Sequence, residues 1–172
     1  MDAIAELRRR LDNLIRLGTI AEVDHEQALV RVQSGKLLTH WLPWLSLRAG
    51  NSKEWDPPTE GEQVIIFSPS GELTIGVVVT GIFSDQNSAP SSNENLHQRT
   101  YPDGAVIEYN HEEHTLNITL PEGGTVNITG DLNLSGNLSI EGETVTHNDT
   151  NIGKTHVHDG VMSGTSTTGA PQ

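Results

Sequence analysis

Residues 115–147 read TLNITLPEGGTVNITGDLNLSGNLSIEGETVTH, and the reading of this stretch decides the fold. From 115 to 120, and again from 125 to 141, apolar and polar side chains alternate strictly. Leu116, Ile118, Leu120, Val126, Ile128, Leu132, Leu134, Leu138 and Ile140 all fall on even positions, while Thr, Asn, Asp, Ser or Glu fill the odd ones. A period of two marks strands with one buried and one wet face. A second period lies over the first, because Gly130, Gly136 and Gly142 are spaced by six. GDLNLS, GNLSIE and GETVTH are then three copies of one unit, the last degraded. Each predicts a strand of about five residues, roughly 17 Å, ending in a glycine that lets the backbone turn. Such self-similarity is the signature of a repeat architecture.

The apolar face of these strands needs cover. A single-chain parallel β-helix stacks several coils of three strands, and three hexads supply about one coil. An up-and-down sandwich lacks its signal, since no Asn-Gly type dipeptide separates the strands. Repeat units that cannot bury a face alone bury it against neighbours. The remaining solution is an intertwined β-structure in which identical chains share one axial core, with three as the natural closed number.

Composition fits a narrow shared core. No aromatic residue follows Tyr109, and Lys154 is the only Lys or Arg after Arg99. Leu, Ile and Val suffice where no large ring has to be packed. The chain has no cysteine, which fits synthesis in a reducing cytoplasm. No apolar run approaches a membrane span and no secretory signal opens the chain. A net charge of −13 opposes nucleic acid as a partner.

Residues 1–17 predict a short amphipathic helix. Ile4, Leu7, Leu11, Leu14 and Ile15 recur at helical spacing, Arg8, Arg9, Arg10 and Arg16 mark the polar face, and Gly18 is placed as a stop. This helix either packs on its own domain or associates with copies or a larger assembly. Residues 18–95 hold the conventional globular material. Strands are predicted at 19–23, 28–33, 37–42, 62–67 and 73–81, with turn signals between them. Five short strands in this space suggest a small OB barrel. OB barrels often bind single strands through aromatic stacking and a positive groove. Here Arg31, Lys36, Arg48 and Lys53 face ten carboxylates between 19 and 95, so Trp41, Trp44 and Trp55 are read as core or subunit-contact residues. Residues 85–95 (DQNSAPSSNEN) form a polar linker and the clearest domain boundary.

LTHWLPWLSLRAG, followed by WDPPTEGEQVIIFSPSGEL, resembles the OB domain of the phage baseplate assembly protein V family. That family supplies the central spike of contractile tails and of related R-type tail-like bacteriocins. RTYPDGAVIEYN, residues 99–110, resembles the family's lead into its β-helix, and THVHDG with GTSTTGAP is similar to the spike apex. Between 111 and 150 only the repeat style matches, and the shaft is short. The resemblance implies a mainly β homotrimer. It comprises an N-terminal helix (1–17), an OB collar at the baseplate hub (18–95), a triple-stranded β-helix shaft (96–150) and a pointed apex (151–172). It further implies a place at the tip of a virion or tail-like particle, contacts with other baseplate proteins, and the bacterial outer membrane as target.

His156 and His158 carry the most specific chemistry. In an extended strand residues i and i+2 point the same way, so both imidazoles face one side. Two ligands are too few for a tight site, but three HVH segments around an axis bring six imidazoles together. Imidazole suits iron, zinc, nickel or copper, and this chemistry does not choose among them. The family's HxH motif holds iron at the tip, which implies one iron per trimer here. Six protein ligands leave no open position, so the site is expected to be structural. HEEH at 111–114 puts its rings on opposite faces of a strand and lacks the HExxH spacing, so it is read as an exposed turn. His25, His40, His97 and His147 show no partner in sequence. Asp149 and Asp159 are compatible with ions on an axis without specifying any.

No cysteine nucleophile, GxSxG elbow, glycine-rich phosphate loop or HExxH is present. Counting carboxylates leaves a glycosidase pair open, but no segment after the OB region is long and apolar enough for a lysozyme domain. The expectation is a non-enzymatic part that punctures the target's outer membrane on sheath contraction. Two alternatives compete with it. A hexapeptide-repeat left-handed β-helix acyltransferase needs many more repeats and a catalytic histidine beside a coenzyme groove. An OB nucleic-acid module is opposed by the repeats and the acidity.

Overall fold

The structure is a computed structural model that describes residues 3–157 together with 160 and 164. The chain is mainly β, with one N-terminal helix, and divides into two compact units, Met1–Thr125 and Val126–Gln172.

In the first unit, helix α1 (Ala3–Leu14) runs without a loop into strand β1 (Ile15–Asp24). The helix therefore stops at Leu14, and the stop expected at Gly18 is instead a close approach of two strands. A Cβ on Gly18 would overlap the Val32 side chain and the Gln33 carbonyl. On the helix surface Glu6 accepts from Arg9 (2.9 Å) and Arg10 (2.7 Å). Hydrogen bonds from Arg9 and then Arg10 pull its carboxyl pKa down to about 2.

The barrel is built from β1, β2 (Leu29–Ser34), β3 (Leu37–Leu38), β4 (Leu42–Pro43), β5 (Gln63–Phe67) and β6 (Val77–Ile82). β1 pairs with β2 on one side and β5 on the other, and β5 pairs with β6, all antiparallel. β4 pairs with β2, and Trp44 bridges in parallel to Val78, where the Leu45 N–H donates to the Val78 carbonyl at 2.8 Å. The circuit β2–β1–β5–β6–β4–β2 thereby closes, leaving β3 as a short flap on β2. The predicted strand 37–42 is split because the Thr39 hydroxyl accepts the Val32 N–H (2.9 Å) and diverts the ladder. The predicted strand 73–81 starts later, at Val77, because Leu73–Ile75 winds into a 3-10 turn.

The core is aliphatic. Ile20, Val30, Val32, Leu42, Val64, Ile66 and Val78 are each at most 2% exposed, with Val23, Trp44 and Leu73 packed against them. Of the three tryptophans only Trp44 reaches the core. Trp55 tilts against it with ring centroids 5.6 Å apart, and Trp41 lies under the Arg31 guanidinium. Arg31 is also tied to Glu22 (2.8 Å) and to the Thr39 carbonyl (3.0 Å), which anchors it in the barrel wall.

Helix α1 is held by the 3-10 turn Pro69–Gly71. The Ser68 N–H donates to the Leu14 carbonyl at 2.9 Å, and Gly71 sits at φ +71° with no room for a Cβ beside the Arg10 backbone. Gly71→Ala combines a left-handed backbone with a backbone clash, at a cost of about 1–3 kcal/mol. It is expected to loosen α1 and to lower the melting temperature by several degrees in a thermal scan; an unchanged midpoint would contradict this seat for the helix.

β7 (Leu96–Thr100), β8 (Val106–Asn110) and β9 (Thr115–Thr119) follow as an antiparallel meander. Arg99 on β7 pairs with Asp56 (2.5 Å) and lies over the Tyr101 ring, tying the meander to the barrel side of this unit. The HEEH segment is the β8–β9 turn. The Asn110 carboxamide oxygen accepts the Glu112 and Glu113 N–H groups, and His114 takes φ +57°.

In the second unit, β10 (Thr146–His147) and β11 (Thr150–Asn151) form a hairpin. Its turn residues Asn148 and Asp149 both have positive φ, 47° and 62°, as a type I′ turn requires. No strand forms between residues 120 and 145, so the hexad strands expected there do not pair within one chain.

Candidate functional site

Two features of the C-terminal region can carry function. The first is the alternating row. Val126, Ile128, Leu132, Leu134, Leu138 and Ile140 stand between 56% and 75% exposed, six apolar side chains in sequence with nothing of their own chain above them. Single exposed leucines are ordinary on a protein surface, but a contiguous apolar row marks a contact surface. Gly130 and Gly136, at φ +135° and +144°, sit at the hexad junctions as the repeat spacing requires.

The second feature is the apex. The β10–β11 hairpin delivers the chain to Gly153, whose N–H donates to the Asn151 carboxamide oxygen at 2.8 Å. The same Asn151 donates to the Thr155 hydroxyl at 2.8 Å. The Gly153 carbonyl then accepts twice from His156, from its backbone N–H (3.1 Å) and from ring Nδ1 (2.6 Å). A carbonyl only accepts, so Nδ1 donates to it. This is the arrangement of a metal-ligating histidine, whose other nitrogen is oriented by a backbone carbonyl. His156 is exposed, whereas His158 and Asp159 lie outside the described residues. Among the described residues no three His, Cys, Asp or Glu side chains gather within one chain, so any ligand set built on His156 has to draw on further residues or further chains.

The sequence reading missed two parts of this site. The Asn148-Asp149 pair was the signal for the hairpin, since both residue types tolerate left-handed backbone. Asn151 and Gly153 were the signal for the loop that fixes the His156 ring.

With this geometry in hand, comparison with known proteins is direct. Residues 16–83 match the family of the type VI secretion system/phage-baseplate injector OB domain. Residues 154–172, which include both apex histidines, match the GpV apex motif. The chain is similar to the spike protein of Escherichia phage P2, with 45% identity over 128 residues, covering 74% of this chain and 60% of that protein. It thus spans about 60% of the length of this relative. The first match falls on the closed barrel, and the second begins at Lys154, shortly after the β10–β11 hairpin. Residues 16–83 thus belong to the type VI secretion system/phage-baseplate injector OB domain family, and a GpV apex motif follows at residues 154–172.

Proposed function

We propose that this chain is the central spike of a contractile-tail baseplate, acting as a homotrimer that punctures the outer membrane of the target bacterium when the sheath contracts. The observation that carries this reading is the apolar row from Val126 to Ile140, exposed in one chain and followed, after the β10–β11 hairpin, by an apex motif. Three copies winding these rows together would bury them on a common axis. The odd-numbered Thr, Asn, Ser and Asp would face water and the ladder would have no free edge along the shaft. The barrel collar would sit at the hub among the other baseplate proteins, and the apex would lead. Its role is mechanical: a narrow, fully hydrogen-bonded rod concentrates force on a small area, without catalysis. The acidic surface would limit adhesion to anionic lipopolysaccharide during passage.

At the apex, His156 and His158 from three chains are proposed to hold one iron ion. His156 fits, because its Nδ1–H is fixed on the Gly153 carbonyl, so that Nε2 is the ring nitrogen that would ligate. Bound iron would cross-link the three chain ends and keep them from fraying. A variant carrying His156→Ala and His158→Ala is expected to remain trimeric by sedimentation while its iron falls from one per three chains to none. Unchanged metal content would contradict the ligand assignment. Loss of the trimer would contradict the claim that the shaft, rather than the apex, drives assembly.

A further inference from the structure

The barrel has an apolar outer wall that the described residues of its own chain leave exposed at Ile15, Leu17 and Phe67. On the outward face of β1, β5 and β6, register places Ile15 beside Phe67 and Phe67 beside Val77, and Leu17 beside Ile65 and Ile65 beside Val79. These are two complete cross-strand rows of apolar side chains on the side away from the core. Ile15 and Leu17 are each 60% exposed and Phe67 is 44% exposed. The first row continues into Leu14 and Pro69, which with Ile15, Phe67 and Val77 line a shallow groove of about 390 Å³. The outer wall of a barrel is ordinarily polar, and a continuous apolar wall of this kind marks a contact surface.

The chain carries a second uncovered apolar surface of matching kind. On α1, Leu7 and Leu11 are 68% and 65% exposed. With Ile4 and Leu14 they follow the three-four-three spacing of a narrow helical seam. Helix on sheet is the standard way for two such surfaces to bury one another. The chain cannot make this match with itself. No residue separates α1 from β1, so the helix leaves along the strand it precedes and has no slack to fold back over that strand's face. It is also pinned to the Pro69–Gly71 turn through the Gly71–Arg10 approach and the Ser68–Leu14 hydrogen bond. Two complementary surfaces at different places on one chain make a heterologous contact, which forms a ring where the rotation between copies closes.

We infer that in the trimer α1 of each copy lies across the β1–β5–β6 wall of the next, seating Leu7 and Leu11 against Ile15, Leu17 and Phe67. This rests on the trimeric reading proposed above and gives the collar an exchange of helices around the ring. It also accounts for a helix too short to persist alone, since twelve residues are marginal in water. The collar contact would then be a second, weaker seam, added to the shaft that drives assembly.

The absence of cysteine from the chain makes the test clean. Two full-length chains, one carrying Leu7→Cys and the other Phe67→Cys, with different tags, are co-expressed, purified as mixed oligomers and oxidised. Both positions are exposed, so neither substitution disturbs the core. The expected result is a disulfide joining the two differently tagged chains in most mixed trimers, a product that only an intermolecular contact can give. Trimers of normal mass without that product overturn the inference while leaving the spike reading intact. Products joining only Leu7→Cys chains to each other would mean that the helices pair together, and also overturn it. A monomer would overturn both this inference and the trimer on which it rests.

Discussion

Replacing Ile128, Leu134 and Leu138 together with asparagine is expected to convert a three-chain particle into separate chains of 18.7 kDa. These side chains are 66%, 58% and 72% exposed in one chain. Burying an aliphatic side chain of this size is worth about 1.5–3 kcal/mol. Three substitutions in three chains remove nine such burials, on the order of 14–27 kcal/mol, which reaches or passes the upper end of the roughly 5–15 kcal/mol that typically separates folded from unfolded states. Asparagine adds the further penalty of placing an amide in a dry core. The barrel draws on none of these residues, so its melting should persist. Sedimentation velocity and thermal melting read the two outcomes separately. A variant that still sediments as a trimer with an unchanged transition would show that the row is not the buried seam.

Leu42→Ala is expected to destabilise the barrel by about 2–5 kcal/mol, the usual range for a buried leucine truncated to a cavity. Leu42 is fully buried and sits on β4, a strand of two residues that joins β2 to the Trp44–Val78 bridge. Its side chain also lies under Gly76, where the chain passes over Ile66 on its way to β6. Few backbone hydrogen bonds hold this closure, so packing carries it. Urea unfolding followed by tryptophan emission is the suitable measurement, because Trp44 adjoins the site and reports the local loss. A midpoint within error of wild type would mean that the barrel closes by other contacts.

How much of this was legible in the sequence depends on whether the deciding physics was local. The barrel strands at 28–33 and 62–67 were visible because turn signals bound short strand-forming runs, and the fold has strands there, with Val30, Val32, Val64 and Ile66 in the core. The helix end was not visible. Gly18 looks like a stop, but its function is to let β1 approach Val32 and Gln33, a long-range contact that no window of sequence contains. The break between β3 and β4 depends on one hydroxyl, Thr39, competing for the Val32 N–H. The repeats mark which residues need burial, and in one chain those residues stand exposed. The apex histidines could be named from spacing and resemblance, but the carbonyl of Gly153 that fixes the His156 tautomer depends on a turn set three residues earlier. The outer wall of the barrel was hidden because Ile15, Leu17 and Phe67 belong to segments that read as ordinary helix end and core strand. Only the register shows that they share one outward face.

The most direct test of the shared shaft is hydrogen–deuterium exchange of the amides from 126 to 140 in the purified wild-type chain. These residues form no strand within one chain, so any protection must come from other copies. An intertwined trimer predicts exchange slowed to minutes or hours across both the GDLNLS and GNLSIE hexads, comparable with the barrel strands. Complete exchange within the first seconds would contradict the shared shaft.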